Sequence, residues 1–366
     1  MMNAERGREA MVQTLETIHV GVIGAGNAGR GHIAHYQELP NVKVIGVADS
    51  DLERARRVAH EFEIEGVYQD YHQLLDDTRL RAVSVTVPPF LHREAVVAAA
   101  ERGIHVHCEK PLCLTLEDAD EMIAACQRNN VFLYVSFLPR QVATYRRVQE
   151  LLASGDYGEP LWMLDRRLLA TEPGIWMPPP WFWRRELGGG LLIENGGHHF
   201  DYVRWVMGEV KTVWANTATV RFKESWPPYI EDPNIEDIAL VSMTHENGAL
   251  SNLFNTSAAP SGHMHLEAAT ATHYLAVDRT STLTVERKGK VLFRTTFEGG
   301  SHAIHSAHYI VDCVRTDMPP DNTGEDGRAA LEIALAALES ARTQAPVTLP
   351  LQATPANLLA QFQLQR

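Results

Sequence analysis

The chain has 366 residues, of which 45% are apolar and 22% charged, so it is long enough for two domains and has an ordinary globular composition. Its formal net charge of -13 weighs against a nucleic-acid or anionic-membrane partner, because both bind through a basic face. No stretch approaches the ~20 apolar residues of a membrane helix, so neither a membrane nor a nucleic-acid partner is expected.

The first 17 residues mix both charge signs and contain no apolar run, which predicts a flexible lead-in rather than a signal peptide. The four cysteines (Cys108, Cys113, Cys126 and Cys313) form no C-x-x-C pair and have no metal-ligand spacing. We therefore expect free thiols, a cytoplasmic protein and no metal site.

Residues 18–140 alternate short β-branched runs with helical segments. Strands are predicted at residues 19–24, 42–49, 81–87, 103–108 and 131–137. Strands separated by helices predict a parallel sheet covered on both faces, and hence an α/β fold for a first domain over 18–140.

A glycine-rich turn follows the first strand and opens a helix. It reads G-x-G-x-x-G at residues 24–29, and Asp49 ends the next strand, which is the context of a dinucleotide fingerprint rather than of a merely structural turn. A 2′-phosphate would meet Asp49 and Asp51, so NAD is favoured over NADP, although Ser50 and Arg54 argue the other way. The sequence therefore predicts a Rossmann domain that binds NAD.

The strand at 103–108 ends abruptly on Glu109, Lys110 and Pro111. Proline fixes the backbone φ angle directly after the two charges. In isolation this tripeptide is typical of a strand that leaves the core into a charged turn.

Residues 141–366 have a different pattern, with successive strand-like runs and a late helix at 324–343. Hairpin loops are predicted at 246–248 and 286–290. The pattern favours an α+β domain with a large, mostly antiparallel open sheet, which would bind substrate and form oligomers.

A proline-stiffened aromatic loop occupies residues 176–183 and contains Trp176, Trp181 and Trp183. Aromatic faces can pack against the C–H surface of a sugar, and burial at a subunit contact is the alternative. Under both interpretations the prolines exclude this loop from a central strand.

A glycine run at 188–190 leads into Glu194, His198 and Asp201, which share one face if the segment is helical. A carboxylate one turn from a histidine suits a general acid/base. A solvated helix face is the alternative, and zinc is a weaker one because no second ligand cluster completes it.

These pieces in order resemble the Gfo/Idh/MocA oxidoreductases, the family of inositol dehydrogenases and glucose–fructose oxidoreductase. The resemblance covers residues 18 to about 350 and lies in "GVIGAGNAGRGH", "VIGVAD", "VPPFLH", "GIHVHCEKPL", Arg140, "SGDYGEPL", "WR" at 183–184, "GGGLLIENGGHHFD" and "GEDGRAALEIALAALESA". It implies oxidation of a secondary alcohol of a sugar, glycoside or inositol-type polyol in a homodimer or homotetramer.

The resemblance also implies site residues. Lys110 would stabilise the developing alkoxide, His198 would accept the proton, and Glu194 would orient His198. The implied cofactor residues are Gly24, Gly26, Asn27, Ala28, Gly29, Asp49, Val87, Pro88, His92, Glu109, Lys110 and Arg140. The implied substrate residues are Lys110, Trp181, Trp183, Arg184, Glu194 and His198.

Some positions depart from the family pattern. Glu194 replaces the commoner aspartate, Val87 and Pro89 stand where threonine and asparagine are usual, and Leu138 replaces an asparagine. Two other functions compete with a dehydrogenase: an enzyme that uses tightly held NAD for transient oxidation in glycoside cleavage or isomerisation, and a non-catalytic NAD-binding regulator. Intact Lys110 and His198 weigh against the regulator.

Overall fold

The computed structural model describes residues 16–171, 177–222, 232–297 and 304–363, so most of the predicted lead-in and Trp176 lie outside the described residues. Two β-sheets organise the described chain. Helices cover both faces of the first sheet and one face of the second.

The first sheet has six parallel strands in the order β3-β2-β1-β4-β5-β6, as predicted for a Rossmann domain. The strands are β1 (Ile18–Ile23), β2 (Val42–Ala48), β3 (Gly66–Tyr68), β4 (Leu80–Val85), β5 (His105–Cys108) and β6 (Leu133–Val135). The helices between them are α1 (Asn27–Gln37), α2 (Leu52–Glu61), α3 (Tyr71–Leu75), α4 (His92–Ala100) and α5 (Leu116–Arg128). The strands are apolar on both sides because helices bury both faces.

The second sheet has nine strands in the order β14-β13-β12-β11-β7-β10-β9-β8-β15. They are β7 (Pro160–Ala170), β8 (Val210–Ala218), β9 (Ile238–His245), β10 (Leu250–Thr256), β11 (Ala258–Thr270), β12 (His273–Asp278), β13 (Thr282–Arg287), β14 (Lys290–Thr296) and β15 (Val347–Thr348). Among the described strands of this sheet only β7 and β10 pair in parallel, so the predicted mostly antiparallel sheet is confirmed.

The remaining helices are α6 (Ala143–Ala153), α7 (Arg185–Gly188), α8 (Gly196–Met207), α9 (Ile304–Thr316), α10 (Gly324–Thr343) and α11 (Ala356–Gln363). Short 3-10 turns occur at Pro89–Leu91, Leu138–Gln141 and Pro180–Trp183, and a π-helical turn at Leu191–Asn195. Helix α10 begins with a capping box, in which the Thr323 hydroxyl and the Asp326 carboxylate satisfy each other's backbone N–H groups. This helix packs on both α8 and α5 and so joins the two halves.

Helix α9 belongs spatially to the first sheet although it comes late in the chain. Its buried residues Ile310, Val311 and Val314 join the same apolar cluster as Val20 of β1 and Tyr36 of α1. The last strand of the first sheet ends at Val135 and the first strand of the second sheet begins at Pro160, so α9 returns to the first sheet after the chain has left it.

The second sheet leaves one face open. Leu164, Trp214, Leu240 and Leu250 are exposed on adjacent strands of that face. None of the described helices has the length and apolarity needed to cross a bilayer.

Candidate active site

The glycine turn after β1 is held by close backbone contact. Gly24 has a φ angle of +102°, and the Thr86 hydroxyl donates to the carbonyls of Ile23 and Gly24, at 2.9 Å each. A Cβ on Gly29 would lie 1.9 Å from the Gly24 carbonyl oxygen, so only glycine fits there. This turn therefore depends on its glycines for backbone conformation and for approach.

The N-terminus of α1 faces the cavity with free backbone N–H groups. Gly26 is the N-cap residue and provides no side-chain cap, and a Cβ at Gly26 would meet nothing within 4 Å. Uncapped N–H groups and the helix dipole favour an anion at this end. The turn thus fits the pyrophosphate of a dinucleotide.

Asp49 fixes a negative charge at the end of β2. Its carboxylate accepts hydrogen bonds from the backbone N–H groups of Ala25 (2.8 Å) and Asp51 (2.9 Å), and Arg54 donates to it at 3.3 Å. The side chain is buried yet borders the cavity. This position matches the one expected of a residue that accepts from ribose hydroxyls.

A cavity of about 1140 Å³ runs from Asp49 past the glycine turn to the second half of the chain. The predicted site residues that line it are Gly24, Gly26, Asn27, Ala28, Asp49, Val87, Pro88, Glu109, Lys110, Trp181 and Glu194. Lining residues that the sequence analysis did not assign to the site include Gln69, Tyr71, Thr86, Leu91, Met177 and Pro179. Predicted cofactor residues and predicted substrate residues therefore share one cavity.

Lys110 and Glu194 meet at the far end of this cavity. The Lys110 ammonium donates to the backbone carbonyl of Glu194 at 3.0 Å and also to its carboxylate. Lys110 follows β5 of the first sheet, whereas Glu194 precedes α8 against the second. This ion pair connects the two halves at the place predicted for the chemistry.

The segment around Glu194 is not the regular helix that the spacing predicted. Residues 191–195 form a π-helical turn, and α8 starts only at Gly196. The described structure gives no hydrogen bond between Glu194 and His198, so the contact by which Glu194 would orient His198 is not present in it. The wider turn places the carboxylate on Lys110 instead.

His198 has an imidazole that stays neutral. Burial lowers its pKa well below the ordinary 6.5, and the charges of Lys110, His199 and Arg167 lower it further. Its Nδ1 atom is buried without a hydrogen-bond partner, and the edge of Phe137 packs near the ring at 6.2 Å between centroids. A neutral ring has a nitrogen lone pair that can accept a proton, but His198 is not among the described residues that line the cavity.

Arg140 does not reach the cavity, contrary to its predicted cofactor role. Its guanidinium is 3% exposed and donates to the Asp201 carboxylate at 2.8 and 2.6 Å and to the Asp321 carbonyl. It also stacks over Trp205, 5.2 Å from the ring centroid. Arg140 and Asp201 thus form a buried structural ion pair. The Asp201 carboxylate is therefore occupied by Arg140 and is not available to act with Glu194 and His198.

His92 braces two loops rather than lining the cavity. Its Nε2 atom lies 2.7 Å from the Val87 carbonyl, and its Nδ1 lies 3.0 Å from the Pro111 carbonyl and 3.5 Å from the Cys108 sulfur. Burial lowers the pKa of His92, so the ring is neutral and can donate from only one nitrogen, either Nε2 to Val87 or Nδ1 to the carbonyls of Pro111 and Leu112. His92 is not among the described residues that line the cavity, so the structure does not show the predicted direct contact with the cofactor.

Two of the predicted substrate residues are occupied elsewhere. Trp183 is fully buried and packs edge-on against Phe182 (5.3 Å) and Phe222 (5.4 Å), so neither sugar stacking nor a subunit contact describes it. Arg184 is paired with Glu186. Of the aromatic loop, Trp181 borders the cavity and Trp176 lies outside the described residues.

A buried polar network under the turn was missed by the sequence analysis. His32 contacts Glu109 through Nε2 (2.9 Å) and Ser84 through Nδ1 (3.0 Å), and the Tyr36 hydroxyl contacts both Ser84 (2.9 Å) and His107 (3.0 Å). Burial raises the pKa of Glu109, but His32 and Lys110 outweigh it and the pKa is lowered. Polar residues within otherwise apolar strands, such as Ser84 and His107, were the available signal.

One cluster bears on the expectation that the chain has no metal site. On the second sheet, His263, His265 and Asp278 bring ligand atoms within 4.8 Å of one another. In the described structure these side chains contact each other and Glu267, at 2.9 Å from His265.

Comparison with known proteins finds a family match for each half of the chain. The family described as "Oxidoreductase family, NAD-binding Rossmann fold" matches residues 18–137, and the "GFO/IDH/MocA C-terminal domain" matches residues 145–285. A myo-inositol 2-dehydrogenase of Thermotoga maritima is 28% identical over 341 residues, covering 91% of this chain and 98% of that protein. An uncharacterized oxidoreductase of Synechocystis sp. is 31% identical over 255 residues, 67% of each chain.

The fold has solved counterparts. A levoglucosan dehydrogenase in complex with NADH superposes with a TM-score of 0.82 at 23% identity, covering 91% of this chain and 99% of that one. At this identity the likeness concerns the fold, and it spans both sheets.

Proposed function

The chain belongs to the Gfo/Idh/MocA family of NAD-dependent oxidoreductases, and we propose that it oxidises a secondary alcohol of a sugar, a glycoside or an inositol-type polyol. Two relatives that match this chain over nearly their whole length are named as inositol dehydrogenases, which supports this substrate class. The dinucleotide turn and the buried Asp49 support NAD as the cofactor.

One observation carries the proposal. Lys110 and Glu194 come from different halves of the chain and meet at the end of the cavity that begins at the dinucleotide turn. A regulator that only binds NAD has no need for an ammonium, a carboxylate and a neutral imidazole at this junction. The combination suits removal of a proton and a hydride from one carbinol group.

The proposed roles follow from the charge of each group. NAD, when bound, supplies the hydride acceptor. Lys110 presents a fixed positive charge that stabilises the developing alkoxide, and Glu194 holds the ammonium in place. His198 is the proton acceptor, since its lowered pKa keeps the ring neutral at pH 7.

The test is absorbance at 340 nm with NAD and a panel of polyols, hexoses and glycosides. We expect at least one compound to give NADH in a 1:1 ratio with the alcohol consumed. Consumption without NADH would replace the proposal with redox-neutral use of NAD. NAD binding without consumption of any compound would favour the regulator.

We also propose a homodimer or homotetramer that covers the open face of the second sheet. The exposed apolar side chains of Leu164, Trp214, Leu240 and Leu250 support this, because a patch of this kind is unusual on a monomer. Light scattering tests it, and a monomer at micromolar concentration would contradict it. A charged residue in place of Trp214 should lower the mass measured by light scattering if this face forms the contact between subunits.

A further inference from the structure

Arg167 is a charged residue of the site region with no counter-ion in contact. Around it, Lys110 pairs with Glu194 and Asp165 with His199. The described residues give the guanidinium of Arg167 neither a hydrogen bond nor an ion pair, and its Nε atom is buried and unpartnered. A guanidinium in such a place has donors available that no protein group uses.

The position of Arg167 is fixed by its strand. Asp165 and Arg167 are two residues apart on β7 and therefore share a face, and Asp165 contacts His199 of α8 on that face. Arg166 points the opposite way, where it is about half exposed and lies near Glu267 at 3.9 Å. Arg167 is thus partly exposed and lies on the face of the second sheet that packs against the helix carrying His198.

Other unsatisfied polar groups surround it. Asn255 is the register partner of Arg167 on β10, is fully buried, and has neither amide atom hydrogen-bonded. A Cβ at Gly196 would lie 3.5 Å from the Asn255 amide nitrogen, so this amide reaches the start of α8. Asn195 Oδ1 and His198 Nδ1 are also buried without partners. We call Arg167, Asn195, His198 and Asn255 the inner polar set.

Glu194 lines the cavity and directly precedes Asn195, so the inner polar set begins next to a lining residue, although its four members are not themselves among the lining residues. Buried polar groups are normally satisfied, so unsatisfied donors and acceptors at one place indicate a ligand that supplies the missing partners. A neutral polyol would satisfy the amides but would bring no negative charge into direct contact with the guanidinium. A carboxylate matches its planar fork with two charge-assisted hydrogen bonds.

Burial around Arg167 agrees with this reading. Burial lowers the pKa of Arg167 in spite of the opposing influence of Tyr145, Asp165 and Glu194. A bound anion would offset the free-energy cost of burying the guanidinium charge.

We propose that the substrate is a sugar or polyol acid whose carboxylate binds Arg167, while Asn255 and Asn195 bind hydroxyls next to it. This inference rests on the proposed dehydrogenase function and narrows its substrate class to uronates, uronides and related acids. His198 and Lys110 would then act on a carbinol group of the same molecule.

The kinetic test uses matched pairs that differ only in the carboxylate: D-glucuronate with D-glucose, D-galacturonate with D-galactose, and methyl β-D-glucuronide with methyl β-D-glucoside. We expect kcat/KM of the wild type to be at least tenfold higher for the acid of a productive pair. Arg167→Gln should lower kcat/KM for the acid by about 10² to 10³-fold, mostly through KM, and for the neutral partner by less than about threefold. Arg166→Gln is the matched control and should change neither.

The binding test does not depend on turnover. Calorimetric titration of the three acids into the NAD-loaded enzyme should show binding of at least one by the wild type and by Arg166→Gln, and no binding of it by Arg167→Gln. Arg167→Lys, which keeps the charge, serves if the glutamine variant does not fold and should bind more weakly than the wild type.

Each outcome has a clear meaning. Acids that bind or react no better than their neutral partners, or equal losses on both in Arg167→Gln, would overturn the inference and leave the dehydrogenase intact. Arg167-dependent binding of an acid that is consumed without NADH would support the inference and count against the proposed reaction.

Discussion

The glycine turn and the inner polar set bind their ligands by opposite means. At the turn, recognition comes from the backbone: Gly24 and Gly29 allow close contact, and Asp49 is already held by two backbone N–H groups. In the inner polar set, recognition comes from side chains such as Arg167 and Asn255 that have no protein partner. The first surface has its backbone conformation and its carboxylate already fixed by protein contacts, whereas the buried side-chain atoms of the second have no protein partner.

The two surfaces differ in how far they discriminate among ligands. A backbone surface accepts any molecule with the same pyrophosphate and ribose groups, so it suits a cofactor shared by many enzymes. Unsatisfied side chains penalise every ligand that fails to pair with them, so they discriminate among substrates. Lys110 and Glu194 lie between these two surfaces.

The largest expected effect comes from Lys110 at this boundary. Lys110→Met should lower kcat by roughly 10² to 10³-fold, because it removes the charge that stabilises the alkoxide. The dissociation constant for NAD should stay within about threefold, since the turn keeps its backbone contacts. Steady-state kinetics and calorimetry measure the two quantities. Lys43→Met, on an exposed pair with Glu65, is the control, and a near wild-type kcat for Lys110→Met would exclude the proposed role.

The next effect separates Trp181 from Trp183, the two described tryptophans of the aromatic loop. Trp183→Ala should lower the free energy of unfolding by about 3 to 5 kcal/mol, because it leaves a cavity among Phe182, Phe222 and Ile235. Trp181→Ala, at the cavity wall, should cost less than about 1.5 kcal/mol and act mainly on substrate KM. Urea unfolding and kinetics distinguish them, and equal losses of stability in both variants would contradict the structural assignment.

A smaller effect tests the backbone surface itself. Gly26→Ala should leave the melting temperature unchanged, since nothing lies within 4 Å of the added methyl group. It should weaken NAD binding by about tenfold, or roughly 1.4 kcal/mol, because the methyl group occupies the space where the pyrophosphate approaches. Gly31→Ala, farther along α1 with equally open surroundings, is the control. Unchanged NAD affinity in Gly26→Ala would place the pyrophosphate elsewhere.

The smallest effect is on pH dependence. Since the pKa of His198 is lowered by burial and then by Lys110, the acidic limb of kcat/KM should lie below pH 6.5. Lys110→Met should move this limb toward higher pH, because a neutral side chain no longer disfavours the imidazolium. An unmoved limb in this variant would show that another group accepts the proton.

The same pKa directions bear on stability. His92, His107 and His198 all have pKa values lowered by burial, so between the folded and unfolded values the unfolded chain binds more protons. Their contribution to the free energy of unfolding is therefore complete above pH 6.5 and decreases as the pH falls below it.

The cofactor surface was predictable from sequence because it is local. Three glycines within six residues and an aspartate at the next strand end determine it, and a parallel sheet brings the ends of its strands to one edge. Lys110 was placed for the same reason, since it follows the fifth strand at that edge.

The substrate side was less predictable because its contacts are distant in sequence. Arg140 is neutralised by Asp201 and also donates to the Asp321 carbonyl, 61 and 181 residues away, so no local pattern separated a structural from a functional arginine. The π-helical turn at 191–195 moved Glu194 out of the helix face that regular spacing predicted. Arg167 was missed because it lies in an ordinary strand, and only the pairing of β7 with β10 places it beside Asn255.

The return of α9 to the first sheet has a consequence for synthesis on the ribosome. The apolar cluster formed by Val20 and Tyr36 remains uncovered until residues 304–316 have been translated. At about 5 to 20 residues per second, roughly ten to thirty seconds separate the end of β6 from α9. During that time the nascent cofactor domain presents an unprotected apolar face, which makes it a natural client for a chaperone that acts on incomplete chains.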